Sequence, residues 1–237
     1  FFSFLLYKMT KILHLIDNEP SFFYYQENLF TETDLIDIKK YLFDLELNKQ
    51  FKDGHCLTGK EVPRKQIWYQ EEKEYFCNTW KVRYPRWKSD NYELYLKKVQ
   101  TYVNKFTNSI ILKSLQDYLE DNIQLPEFNS CLINLYRNGN DSIKPHRDTK
   151  DSFGIYPTIA NVSIGETRTM RIKKTLYNSE GSDSLKNDTN SDLDLEFELK
   201  DNSILIMSGA SQKYFTHEIP KESNRDKRYS LTFREYL

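Results

Sequence analysis

From Phe128 to the C-terminus the chain is a succession of short β-rich runs divided by turn signals, and this texture restricts the fold more than any other feature. The runs fall at residues 131–137, 158–164, 169–174, 195–199, 203–207 and 228–233. Asn138-Gly139-Asn140-Asp141 and Ser208-Gly209-Ala210 read as turns among them. Upstream the periodicity changes. Thr31 or Thr33 is placed to cap a helix that carries Leu35, Ile36, Ile38, Leu42, Phe43 and Leu45 at amphipathic spacing. Residues 91–122 read as one or two further helices, with Leu94, Leu96, Val99, Val103 and Phe106 on one stripe. A break is expected near residues 107–109, where polar side chains interrupt the stripe. The pattern predicts an α+β protein with a mainly β core and helices packed outside an antiparallel sheet.

With 237 residues and 38% hydrophobic content, the chain is long enough for one substantial core. A formal net charge of −1 gives no global basic field, so any nucleic-acid contact has to come from a local patch. The three cysteines, Cys56, Cys77 and Cys131, show no paired metal spacing, which argues against a disulfide framework or zinc ribbon and suits a reducing compartment. Residues 1–7 are apolar but too short to span a bilayer and lack the pattern of a signal peptide. Met9 is a candidate initiator. The chain is therefore expected to be intracellular, cytoplasmic or nuclear, without a membrane partner, and monomeric. Residues 178–194 are rich in Ser, Asp and Asn and read as a mobile surface insertion.

His146-Arg147-Asp148 puts an imidazole and a carboxylate two residues apart. In extended chain residues i and i+2 share a face, so both side chains reach one ion. A further histidine from a later strand, for which His217 is the candidate, completes two His and one carboxylate, a set that leaves positions open on Fe(II). The tripeptide alone is common, and a lone His is more often a packing or surface residue. Downstream, Arg228 and Arg234 lie at even spacing on one strand and face the same side, where guanidinium groups can clamp a dicarboxylate. A solvated basic strand face is the plain alternative.

Together these segments resemble the AlkB family of nucleic-acid dealkylating dioxygenases, closest to its animal DNA-repair branch. The resemblance is carried by residues 128–137, 141–148, 158–174 and 202–210, by His217-Glu218-Ile219-Pro220-Lys221, by residues 228–234, and upstream by Val62-Pro63-Arg64-Lys65-Gln66 with Trp68-Tyr69. It runs from about Gly59 to the C-terminus, so residues 1–55 are set apart as an N-terminal extension with a helix and 56–237 as the dioxygenase domain. It implies a double-stranded β-helix (jelly roll) with supporting helices and an N-terminal nucleotide-recognition extension. It assigns His146, Asp148 and His217 to Fe(II), and Arg228, Asn134 and Tyr136 to the distal carboxylate of 2-oxoglutarate, with Arg234 near its other end. Ser230 stands where the family often has Asn.

An extruded or single-stranded base needs an aromatic sandwich and polar groups at its edge. The resemblance points to His146 for one slice and to Tyr75 or Phe76 for the other. Arg64 is the basic residue favoured for a phosphate contact; the other local clusters are Lys60 and Lys65, then Lys81, Arg83, Arg86 and Lys88, then Arg168, Arg171, Lys173 and Lys174. Lys150 departs from the family, which usually has an acid two residues after the iron-binding Asp; Asp151 is adjacent. The implied activity is oxidative dealkylation of N-methylated bases of the 1-methyladenine or 3-methylcytosine type, in DNA or RNA. It would consume Fe(II)-bound 2-oxoglutarate and O2 and release formaldehyde, succinate and CO2. The alternatives are a hydroxylase of a protein or small molecule, which Lys150 favours, and a non-catalytic nucleic-acid binding module.

Overall fold

The structure is a computed structural model that describes residues 8–55, 61–71, 74–75, 81–82, 88–118, 124–175 and 191–237. An eight-stranded antiparallel sheet has the order β1-β2-β10-β7-β12-β5-β4-β3, and a four-stranded sheet the order β6-β11-β8-β9. The large sheet contains β1 (Met9–Ile16), β2 (Glu19–Glu27), β3 (Lys52–His55), β4 (Glu61–Gln70), β5 (Ser130–Tyr136), β7 (Ile159–Gly165), β10 (Ser203–Gly209) and β12 (Arg228–Arg234). The small one contains β6 (Ile143–His146), β8 (Arg168–Lys174), β9 (Leu195–Leu199) and β11 (Phe215–Ile219). The two sheets form the jelly roll.

Strand alternation divides the large sheet into two different faces. Its outer face carries Phe22, Ile67, Ile133, Val162, Ile206 and Leu231, which pack on helices α1 (Glu32–Leu47) and α2 (Leu94–Leu115) through Leu42, Leu45, Leu96 and Val103. Its inner face meets the small sheet. There Phe23, Leu205 and Met207 of β2 and β10 pack against Met170, Ile172, Phe197 and Phe215. On β5, β7 and β12 most inner positions are instead polar, among them Asn134, Asn161, Ser163, Arg228, Ser230 and Arg234. The apolar end holds the sheets together, and the polar stretch opens the mouth between them.

The six expected C-terminal strands are all present, with ends shifted by up to two residues. Thr31 is the cap of α1, its hydroxyl accepting from the Asp34 amide. The break expected near residues 107–109 is absent. α2 runs on to Leu115: Asn108 Nδ2 donates to the Pro126 carbonyl, Ser109 Oγ donates to that of Phe106, and Thr107 is buried on the same face as Val103 and Ile111. Residues 9–55, expected to form an extension with one helix, supply β1, β2, α1 and β3; β2 is paired along its length with β10. The turn at Gly139 allows no side chain, since a Cβ would lie 1.6 Å from the Glu222 carbonyl oxygen. Of the expected insertion, only residues 191–194 are described. No helix among the described residues is long and apolar enough to cross a membrane.

Candidate active site

The pairing of β6 with β11 sets His146 directly opposite His217, and their rings lie 4.2 Å apart. Asp148 follows β6 by two residues. The ligand atoms of His146, Asp148 and His217 all lie within 4.8 Å of one another. His146 Nδ1 is 2.9 Å from the Lys144 carbonyl oxygen. A carbonyl only accepts, so Nδ1 carries the proton and Nε2 keeps its lone pair for a metal. Burial, then the neighbouring His146, lowers the His217 pKa to about 3. Burial likewise lowers that of His146, against the pull of Asp148. Burial alone would raise the Asp148 carboxyl; Arg234, then His217, outweigh it and hold the group below the usual carboxylate range. The three side chains are therefore two neutral imidazoles and one carboxylate at neutral pH, a donor set that suits Fe(II).

A cavity of about 380 Å³ opens beside these ligands, within the range of small-molecule sites. Among the described residues its wall carries Arg64, Arg147, Arg228 and Arg234 against a single carboxylate, Asp148. Register places these groups: on β12, Arg228 lies opposite Tyr136 and Ser230 opposite Asn134. Arg228 is fully buried. Its Nη2 donates to Ser163 Oγ (2.7 Å) and Asn161 Oδ1 (3.3 Å), its carbon sits 5.2 Å from the Tyr136 ring centre, and among the described residues no acceptor meets Nε or Nη1 at hydrogen-bond geometry. Burial lowers its pKa to about 10, still far above neutrality. A buried cation with two donors turned to the cavity suits an anion, and the terminal carboxylate of 2-oxoglutarate has the charge and forked shape to fit it.

Arg234 lines the same cavity on its Asp148 side: its Nε bonds the Asp148 carboxylate, and its Nη2 is 3.3 Å from the other oxygen. Arg64 lines the cavity, donating to Asn134 Oδ1 (3.0 Å) and the Ser142 carbonyl (3.2 Å). Tyr75 is half-buried and outside the cavity wall; its carbonyl accepts from Tyr236 Oη. Phe76 lies outside the described residues, as do Lys60, Arg83 and Arg86. Lys150 is exposed at the start of a helical turn, Lys150–Phe153, and does not line the cavity; Asp151 is exposed too. Arg168, grouped by sequence with phosphate-binding candidates, is instead wholly buried, its guanidinium bonded to Glu222 and to the Asp141 and Pro220 carbonyls. A side chain wholly buried and hydrogen-bonded inside the protein is not placed to reach a phosphate.

Sequence reading missed Asn161, Ser163, Ser152 and Gln212. Asn161 Nδ2 donates to Ser230 Oγ and Thr232 Oγ1, tying β7 to β12 below Arg228. Polar residues at alternate positions of the apolar run 159–164 were the signal for Asn161 and Ser163. Ser152 Oγ is buried in the cavity wall without a partner among the described residues.

A jelly roll with this donor set and a cationic pocket beside it defines an oxygenase of the non-haem iron type. The chain belongs to the 2OG-Fe(II) oxygenase superfamily, whose model matches residues 22–234. Within that superfamily it is AlkB-like. It is 38% identical over 125 residues to human alpha-ketoglutarate-dependent dioxygenase alkB homolog 3, covering 52% of this chain and 42% of that one. To DNA oxidative demethylase ALKBH2 of Arabidopsis thaliana it is 33% identical over 137 residues, covering 53% and 43%. The matched stretch thus spans less than half the length of these curated relatives. The fold resembles that of OsALKBH1, with a TM-score of 0.62, 14% identity and coverage of 90% and 96%. It also resembles a Trichoplax adhaerens prolyl hydroxylase, with a TM-score of 0.57, 12% identity and coverage of 91% and 83%.

Proposed function

We propose that this protein oxidatively demethylates N-methylated nucleobases in DNA or RNA, with Fe(II) held by His146, Asp148 and His217. The observation that carries the reading is the fully buried guanidinium of Arg228, whose Nε and Nη1 meet no acceptor among the described residues, on the same wall as the three ligands. It supports a built site for a dicarboxylate beside a metal, which a mere binding module has no need of. When bound, Fe(II) with 2-oxoglutarate and O2 supplies the oxidising power that hydroxylates an N-methyl group, which then leaves as formaldehyde beside succinate and CO2.

The chain's own part is positional. Arg228, with Asn134 and Tyr136 close by, holds the distal carboxylate; Ser163 and Asn161 fix the guanidinium from behind. Asp148 stays ionised, and both imidazoles stay neutral. The apolar wall of Leu132, Ile143, Met207 and Ile219 excludes water from the reacting centre. Arg64, half-buried at the cavity wall, is suited to an anionic group of the substrate. The nucleobase substrate draws support from the AlkB relatives, one of which is titled a DNA oxidative demethylase. Lys150 gives little support to a protein or small-molecule substrate, because its charge sits off the cavity wall, away from an inserted base. Asp148→Ala is expected to abolish succinate release stimulated by methylated oligonucleotide, and retained turnover would sink the assignment.

A further inference from the structure

The segment between β10 and β11 is a four-residue helical turn, α3 here taken as Ser211–Tyr214, and it lies against the His146–Asp148 run. Two hydrogen bonds join them. The Asp148 amide donates to Gln212 Oε1 (3.1 Å), and Arg147 Nη1 donates to the Lys213 carbonyl (2.8 Å). Gln212 is itself buried; its Nε2 lies 3.8 Å from Met207 Sδ and 3.4 Å from Ser211 Oγ, so the amide is held on both sides. The turn is anchored from the opposite edge by the β1–β2 hairpin. Glu19 accepts from Lys213 Nζ (2.6 Å), Tyr214 Oη (2.7 Å) and Tyr156 Oη (2.6 Å), while the Ala210 amide donates to the Pro20 carbonyl (2.7 Å).

Asp148 follows β6 and has left the ladder, so strand pairing does not fix its backbone. His217 follows the same turn by three residues, on β11. We infer that Gln212 is a positioning residue: by fixing the Asp148 amide to the turn that leads into β11, it sets the carboxylate at the right distance from His217 for one metal ion. Glu19 acts behind it by holding the turn in place. The inference rests on the reading of His146, Asp148 and His217 as metal ligands. Gln212 touches neither metal nor substrate; it acts through the Asp148 backbone.

Titration of the full chain with Co(II), followed by its visible d–d absorption, tests this directly. Gln212→Met keeps volume and burial but loses the oxygen acceptor, and is expected to weaken Co(II) binding by roughly tenfold and alter the band positions. Gln212→Glu, which restores an acceptor oxygen, should recover most of the affinity. The melting temperature of the metal-free protein separates positioning from folding, and Glu19→Gln supplies a second variant that should weaken binding by a smaller factor if Gln212→Met fails to fold. Wild-type affinity and spectrum in folded Gln212→Met, or in Glu19→Gln where the former is unfolded, would overturn the inference. Undiminished Co(II) binding by Asp148→Ala would instead overturn the metal-site reading itself.

Discussion

Arg228 concentrates a conflict between stability and binding in one side chain. A fully buried guanidinium with two donors that meet no acceptor among the described residues is costly until an anion arrives. Arg228→Met removes the charge at similar length. We expect the 2-oxoglutarate KM to rise by roughly 30-fold or more, the equivalent of about 2 kcal/mol, while the ligand-free protein melts no lower than wild type. Steady-state kinetics and thermal melts read the two effects separately. The histidines give a pH dependence of defined sign. His146 and His217 have folded pKa values below 6.5, the latter at about 3, so between those limits the unfolded chain binds more protons than the folded one. Stability of the metal-free protein should be level above about pH 6.5 and fall as the pH is lowered toward 3, with a shallower slope in His217→Ala; melts across that range check it. The ligand triad was legible because metal chemistry demands particular residue types. The pairing of Arg234 with Asp148 was not, since even spacing along a strand says which face a side chain takes and nothing about its partner.

At the scale of elements, the small sheet is fastened to the turn at Gly139 by a buried cation. Arg168 Nε is 2.7 Å from Glu222, which also accepts from the Thr169 amide and hydroxyl. Glu222→Ala would strand Arg168, which has no exposure, and is expected to cost about 3–5 kcal/mol in urea unfolding. A loss under 1 kcal/mol would show that the carbonyl partners of Arg168 suffice. The strands that sequence revealed, such as β12, are those bounded by clear turns. β2 was missed because its residues are buried on both faces and read as one aromatic run, without alternation. β6 and β11 were expected only through their histidines and not as β-rich runs, because they are short and β6 contains Pro145. The helix break predicted inside α2 failed for a related reason: Thr107 is polar in sequence yet wholly buried on the same face as Val103 and Ile111.

The whole molecule is a sheet between two partners, helices outside and a smaller sheet inside, with the reactive mouth where the inner face turns polar. The β-rich C-terminal half and the resemblance to AlkB proteins made this architecture legible. The place of residues 9–27 was not, because β2, which joins their hairpin to the sheet, pairs with β10 across well over a hundred residues of chain. That hairpin completes the large sheet and, through Glu19, reaches the turn beside the metal ligands. Net charge near zero conceals a cavity with four arginines to one acid among the described residues, which is the feature that suits an anionic cosubstrate. The central claim is coupled demethylation, and the most direct test is formaldehyde release from single-stranded and duplex DNA and RNA oligonucleotides carrying 1-methyladenine or 3-methylcytosine, with Fe(II), 2-oxoglutarate and O2. We predict one formaldehyde for each succinate formed in the presence of methylated oligonucleotide and none with its unmethylated counterpart; succinate formation indifferent to every oligonucleotide, with no formaldehyde, would contradict the account.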